Sequence, residues 1–164
     1  MTIHAGHPFP TEDDPVRRLR GRLGGQVSLW TSGGAERAGL TVTSLMIVNG
    51  TPGRVLGLLD PDSDLREQLE QTGRGVVQLL CWRHRQLSEQ FGGTAPAPGG
   101  AFRAAAFEET EWGPRLADAP TWAGVALESL AQVGWSVVAT CTLEHVEIGE
   151  DDEPLMHRRG RYCR

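Results

Sequence analysis

The residues best suited to chemistry lie in one stretch, Arg37 to Ser44, which combines small, hydroxyl-bearing and β-branched residues. Gly39 leaves the backbone uncovered, and hydroxyl groups follow it at Thr41, Thr43 and Ser44. Hydroxyls beside uncovered backbone amides suit a flat polar ligand that lies against a strand. Threonine is also a favoured strand residue, so an ordinary threonine-rich barrel strand is the alternative interpretation.

This stretch predicts one continuous strand over residues 37–48, because its side chains alternate between two faces. Apolar residues stand on both faces, with Val42 on one and Leu45 on the other. Five further segments have strand patterns. They are Gln26–Ser32, Arg54–Leu59, Gly75–Trp82, Trp122–Leu130 and Gly134–Ile148. The last is the longest, and a long strand with hairpin neighbours is what a small closed sheet requires.

Three short helices are predicted between the strands, at residues 14–22, 63–72 and 83–91. The first has one apolar side among four arginines and is expected to cover one end of the barrel. The consecutive apolar residues at 54–59 predict a strand buried on both faces. Residues 102–112 have no regular pattern, and their three glutamates predict a solvated acidic face.

Composition excludes several classes of function. The chain has 164 residues, enough for one domain that buries a sizeable core. Its formal net charge is −5 and it contains no lysine, which argues against nucleic-acid binding and removes lysine-based covalent catalysis. Cys81, Cys141 and Cys163 form no CxxC motif, so we expect free thiols in a reducing cytoplasm.

No segment has the length and composition of a signal peptide or a membrane span, so the sequence predicts a cytoplasmic protein without membrane contact. Residues 1–13 are expected to form a flexible N-terminal arm before a single domain at 14–164. His4 and His7 on this arm are interpreted as solvated histidines. His84 has no evident acid or nucleophile partner, so it is interpreted as a surface or packing residue and not a base.

The order of these pieces, from about residue 14 to residue 163, resembles the flavin reductase-like, FMN-binding split-barrel family. The segment Ala38-Gly39-Leu40-Thr41-Val42-Thr43-Ser44 is similar to that family's glycine-x-threonine-valine-serine-serine segment. The other matching segments are 14–17, 53–65, 75–80, 86–91, Trp112 to Leu116 and Pro154 to Tyr162. The resemblance implies an all-β, six-stranded antiparallel Greek-key split barrel with short helices, assembled as a homodimer.

The resemblance also implies the ligand and its contacts. FMN would bind, with FAD or a deazaflavin as other occupants of the same groove, and NADH or NADPH would be the co-substrate. Residues Thr41, Val42, Thr43 and Ser44 would line the flavin ring and ribityl chain. Asp60 and Ser63 belong to the loop that helps hold the FMN phosphate in relatives of this fold. The partner implied beyond the dimer is a monooxygenase.

Two physical arguments bear on the phosphate loop at residues 60–64. Asp62 or Ser63 can cap the following helix, and a helix N-terminus with free amides suits a phosphate. Three aspartates beside a dianionic phosphate cost binding energy, unless they turn outward or an arginine such as Arg54 or Arg66 compensates. Capping and phosphate contact therefore both stay open.

The chain departs from the family where relatives carry a glycine-aspartate-histidine segment used around the nicotinamide and flavin rings. Gly134-Trp135-Ser136 stands there instead. Trp135 could stack on an isoalloxazine ring or serve as a core or interface residue. The favoured function is reduction of flavin by a nicotinamide nucleotide. The alternatives are a flavin carrier without nicotinamide activity and a dimeric interaction protein that has lost its cofactor.

Overall fold

The computed structural model describes residues 14–151 and 153–164. The predicted arm, with His4 and His7, lies outside the described residues. The helices are α1 (Pro15–Leu23), α2 (Asp64–Thr72) and α3 (Arg85–Phe91), with short 3₁₀ turns at Trp82–His84 and Ala101–Ala104. None of the described helices is long and apolar enough to cross a membrane.

Strands dominate the fold. They are β1 (Gly25–Gln26), β2 (Ser28–Gly33), β3 (Arg37–Val42), β4 (Leu45–Val48), β5 (Arg54–Leu59), β6 (Arg74–Leu79), β7 (Phe107–Thr110), β8 (Gly113–Leu116), β9 (Trp122–Val133), β10 (Ser136–Glu147), β11 (Met156–Arg158) and β12 (Arg161–Cys163). The main sheet has the order β3-β2-β6-β9-β10-β5-β4, and all its pairs are antiparallel.

The predicted six-stranded barrel is confirmed. Strands β3 and β4 stand at opposite edges of the main sheet, yet only Thr43 and Ser44 separate them in the chain. Counted as two halves of one strand, they join the two edges, and six strands then form a closed circuit. The order β6, β2, β3/β4, β5 is that of a Greek key, in which a fourth strand returns beside the first.

Two details of the strand prediction are wrong. Residues 37–48 do not form one continuous strand, because β3 pairs with β2 while β4 pairs with β5. Strand β5 is not buried on both faces. Val55 and Leu59 face the core, whereas Leu58 on the other face is 38% exposed. A run of apolar residues indicates apolar surroundings on both faces of a strand. In β5 the described residues of this chain leave the outer face partly uncovered.

The barrel interior is filled from both halves of the sheet. Trp30 lies at its centre, 1% exposed, with its indole Nε1 donating to Ser28 Oγ over 3.0 Å. Ser28 Oγ in turn donates to the Val42 carbonyl over 2.7 Å. A second cluster of buried apolar residues lies under α3, around Leu87 and Phe91.

Outside the barrel, the helix ends follow the expected capping rules. Asp14 Oδ1 accepts from Val16 N over 3.0 Å at the start of α1, and Ser63 caps α2. The irregular segment 102–112 contains an unpredicted strand, β7, which pairs with β8. The three glutamates of segment 102–112 are exposed, as predicted, and each pairs with an arginine.

Candidate functional site

Thr43 and Ser44, the two residues at the break between β3 and β4, open onto a groove of about 1260 Å³. One wall of the groove is α1, and the opposite wall is the outer face of β4, β5 and β10. The turn between β11 and β12 closes one end. The expectation that α1 covers an end of the barrel is wrong, because its apolar residues Val16, Leu19 and Leu23 are 71–84% exposed and line this groove.

The groove joins an apolar floor to a basic rim. The floor is formed by Leu45, Met46, Leu56, Leu58 and Val138. The rim is formed by Arg17, Arg18, Arg20, Arg22, His157 and Arg159. No carboxylate is among the described residues that line it. A groove of this kind matches a ligand with a flat apolar part and an anionic part.

Ser44 connects the floor to the rim. Its hydroxyl lies 3.3 Å from Arg20 Nη2, from which it accepts a hydrogen bond, and its carbonyl accepts from Leu58 N over 2.9 Å. The second bond holds the break against β5, so the positions of Thr43 and Ser44 are fixed by the sheet itself. A hydroxyl and a guanidinium placed side by side can bind hydroxyl and phosphate oxygens.

The structure places Thr41 and Val42 away from this groove. The Thr41 hydroxyl donates to the Ser88 carbonyl in α3 over 2.7 Å. The Val42 side chain is 3% exposed and belongs to the barrel core. Of the four predicted residues in this segment, the two at the break line the groove and the two at the end of β3 do not.

Asp60 and Ser63 form the turn into α2. Ser63 Oγ accepts from Arg66 N over 3.2 Å and donates to the Asp60 carbonyl over 2.7 Å, so its one proton, which a phosphate oxygen would need, is already used within the turn. The two arginines that could offset the aspartates are also engaged. Arg66 pairs with Glu70 at 2.9 Å, and Arg54 pairs with Glu128 at 2.7 Å.

Trp135 lies at the tip of the β9–β10 hairpin and is 53% exposed. Gly134 precedes it with a φ of +57°, a conformation that favours glycine, so the turn explains this glycine. Val137 and Ala139 face the core, which puts Ser136 and Val138 on the outer face, and Val138 lines the groove. Ser136 therefore lies on the same face of β10 as the groove residue Val138.

Sequence reasoning missed the contribution of the β11–β12 turn, which brings His157 and Arg159 to the groove. The Arg159 amide donates to the Gly21 carbonyl of α1 over 2.9 Å, so the turn is fixed against the helix. The arginine-rich ends of the chain were visible in the sequence. Their meeting was not, because about 135 residues separate α1 from this turn.

Comparison with known proteins decides the family. The model described as "Flavin reductase like domain" matches residues 20–164. The chain belongs to the flavin reductase like domain family. One relative is the FMN reductase (NADH) RutF of Agrobacterium fabrum. It is 30% identical over 148 residues, which cover 89% of this chain and 84% of the relative.

A second relative is the reductase component of 4-hydroxyphenylacetate 3-monooxygenase from Pseudomonas aeruginosa, 23% identical over 148 residues that cover 86% of this chain and 85% of the relative. Two solved structures have the same fold as this chain. The Streptomyces globisporus C-1027 NADH:FAD oxidoreductase SgcE6 superposes with a TM-score of 0.83 at 22% identity, covering 96% of this chain and 98% of the other. Flavin reductase PheA2 also gives 0.83 at 22% identity, with 94% and 98% covered.

A flavin nucleotide fits the groove of this flavin reductase like chain. The apolar floor suits the isoalloxazine ring, the hydroxyls of Thr43 and Ser44 suit the ribityl chain, and Arg20 beside Ser44 suits an anionic oxygen of the flavin nucleotide. Among the described residues, no group of three or more His, Cys, Asp or Glu side chains could hold a metal ion.

His84 is 5% exposed, so of the two predicted roles, surface or packing, it has the packing role, although it does have an acid beside it. Its Nδ1 accepts from Cys81 N over 2.9 Å, and its Nε2 lies 2.9 Å from Asp118 Oδ1. Both ring nitrogens are therefore engaged, and neither can deprotonate the Cys81 thiol. Burial lowers the pKa of His84, against the opposing effect of Asp118. Burial tends to raise the pKa of Asp118, but hydrogen bonds from Arg83 and His84 hold it below its usual value.

These pKa shifts predict a pH-dependent stability. Because the folded state resists protonation of His84, the unfolded state binds more protons once the pH falls below about 6.5. The free energy of unfolding should therefore fall between pH 7.5 and pH 5.5, and His84→Asn should flatten this slope. The lowered pKa of Asp118 acts in a separate window, below its ordinary value near 3.8.

Urea unfolding at several pH values measures this effect. Equal slopes for the wild type and His84→Asn would contradict the assignment.

Proposed function

We propose that this chain is a flavin reductase that binds FMN in the groove and reduces it with a nicotinamide nucleotide. The groove itself carries the proposal, because an apolar floor, two hydroxyls at the strand break and a basic rim meet in one space. The volume exceeds that of an ordinary single-ligand pocket, about 300–1,000 Å³, and so has room for two stacked nucleotides. FAD would bind by the same ring and ribityl contacts.

In this proposal Thr43 and Ser44 contact the ribityl chain and the polar edge of the flavin ring. Val42 and Thr41 support them from the end of β3, since their side chains are engaged in the core and with α3. Trp135 would cover an exposed edge of the ring from the hairpin tip. Asp60 and Ser63 would meet the phosphate only through the amides at the start of α2, because the Ser63 hydroxyl is engaged within the turn.

Flavin, when bound, supplies the ability to accept a hydride from a nicotinamide ring. The task of the chain is then to hold two rings at close range and to exclude water from between them, which is a matter of positioning. Leu45, Leu56 and Leu58 provide the apolar surface for this. No side chain of the groove has to act as a proton relay, so the serine at position 136 is compatible with the reaction.

Anaerobic titration of the FMN-loaded protein with NADH and then NADPH tests the proposal. We expect the visible flavin absorbance to bleach at once, and faster than for free FMN at the same concentration. Bound flavin that neither nucleotide bleaches would contradict reductase activity. Light scattering on the same sample tests the assembly, for which we propose a homodimer with twice the chain mass of 17.8 kDa.

The homodimer is supported by an exposed apolar edge of the main sheet. Ile47 and Val48 of the edge strand β4 are 62% and 41% exposed and do not line the groove. Edge strands of monomers are rarely this apolar.

We further propose that residues 14–164 act as one FMN-binding domain and that the reduced flavin serves a partner monooxygenase. We propose a cytoplasmic location, which is supported by three cysteines that form no disulfide.

A second function is favoured by Gly134-Trp135-Ser136. Because the acid and the imidazole of the family are replaced here, the chain could hold and deliver flavin without reducing it. The titration separates the two functions, since a carrier binds FMN but leaves its absorbance unchanged on addition of either nucleotide.

A further inference from the structure

The arginines of this chain are divided into two groups by their partners. Of the sixteen arginines, seven form an ion pair within 4.0 Å with a carboxylate of the described residues 14–151 and 153–164. They are Arg37, Arg54, Arg66, Arg74, Arg83, Arg115 and Arg164. Within the described part of the chain, the other nine have no such partner, and all but Arg85 and Arg103 belong to α1 and to the β11–β12 hairpin. A surface of one sign is thus built on a protein whose net charge is −5.

This surface borders the proposed flavin groove. Arg17, Arg18, Arg20, Arg22 and Arg159 line it, and none of the groove's described lining residues is acidic. Like charges that have no counter-charge among the described residues repel one another, and an anion bound between them would relieve this repulsion. One phosphate monoester carries about two negative charges at neutral pH. The arginines that line the groove carry five positive charges, so one phosphate monoester does not balance them.

The backbone at Arg159 gives an independent indication of a ligand. Arg159 has a φ of +53°, followed by Gly160 at +76°, in the two-residue turn that joins β11 to β12. Turns with positive φ at both central residues strongly prefer Asn-Gly, Asp-Gly or Gly-Gly. An arginine in this position is strained, and such strain is found where a side chain serves a function.

We infer that this rim, with Arg159 at its end, binds the 2′-phosphate of NADPH, so that the chain prefers NADPH to NADH. The inference rests on the proposed function. NADPH exceeds NADH by one phosphomonoester, and an arginine near the adenosine ribose is a recurrent means of accommodating it. Arg20 lies beside Ser44, on the flavin side of the groove, which leaves Arg159 and the outer arginines of α1 for the second nucleotide.

Isothermal titration with 2′,5′-ADP and its isomer 3′,5′-ADP tests this inference without any turnover. The two probes have the same charge, so only a specific site distinguishes them. We expect the wild type to bind 2′,5′-ADP roughly tenfold or more tightly than 3′,5′-ADP, as for a charge-assisted contact. In Arg159→Asn the ratio of the two affinities should fall toward one.

Arg159→Asn also separates binding from folding. Asparagine is favoured in this turn, so the thermal midpoint should stay equal or rise while the discrimination is lost. Arg103→Ser is the matched control, because Arg103 is exposed, has no carboxylate partner within the described residues and does not line the groove. It should leave both probe affinities unchanged.

Equal binding of the two isomers by the wild type would overturn the inference. It would also be overturned if Arg159→Asn weakened FMN relative to riboflavin while leaving the 2′,5′-ADP preference intact, since the rim would then hold the flavin phosphate. Neither result bears on the proposed function, which fails only if FMN is not bound or not bleached in the anaerobic titration.

Discussion

Replacing Thr43 with valine and Ser44 with leucine is expected to abolish flavin binding. Both hydroxyls would be lost from the break between β3 and β4, and Arg20 would lose the oxygen that it contacts at 3.3 Å. The leucine would also enlarge a side chain that faces the groove. Loss of two hydrogen bonds together with a steric obstruction should weaken FMN binding by about 100-fold or more.

Quenching of flavin fluorescence on titration with protein measures this loss. Ser129→Leu is a suitable control, because it makes the same hydroxyl-to-leucine change at an exposed position on β9 that does not line the groove. The thermal midpoint of the double variant should stay close to that of the wild type, since neither side chain belongs to the core. Unchanged flavin affinity in the double variant would overturn the placement of the site.

The positions of the main strands along the chain could be predicted from the sequence because alternation and apolar runs report local burial. The break at Thr43 and Ser44 could not. Both halves of residues 37–48 continue the same period of two, and only the pairing of β3 with β2 and of β4 with β5 reveals that the strand crosses from one edge of the sheet to the other. That crossing is what closes the barrel and exposes the two hydroxyls.

The basic rim shows a second limit of sequence reasoning. Arg17 to Arg22 and Arg158 to Arg161 are visible as two arginine-rich segments, but their chemistry depends on the bond between Arg159 N and Gly21 O, which joins distant parts of the chain. Ser63 shows the reverse case, since the pattern predicts its capping role and the structure contains that cap.

Gly57 marks the point where the barrel core and the groove come closest, and Gly57→Val should strongly destabilise the protein. A Cβ atom at this position would lie 2.6 Å from Trp30 Cζ2, and Trp30 is fully buried with its indole hydrogen-bonded to Ser28. Neither the ring nor β5 can move without disturbing the sheet. Such overpacking should lower the free energy of unfolding by about 3 kcal/mol.

Urea denaturation measures this change, and Gly34→Ala is the control. Gly34 has no atom within 4 Å of the added Cβ, so its substitution should change the stability by no more than about 0.5 kcal/mol. If contact with Trp30 is the cause, the pair Gly57→Val and Trp30→Leu should be non-additive, with the second change recovering part of the loss by at least about 1 kcal/mol. Strict additivity would mean that Gly57 is required for the backbone of β5 and not for the space that Trp30 occupies.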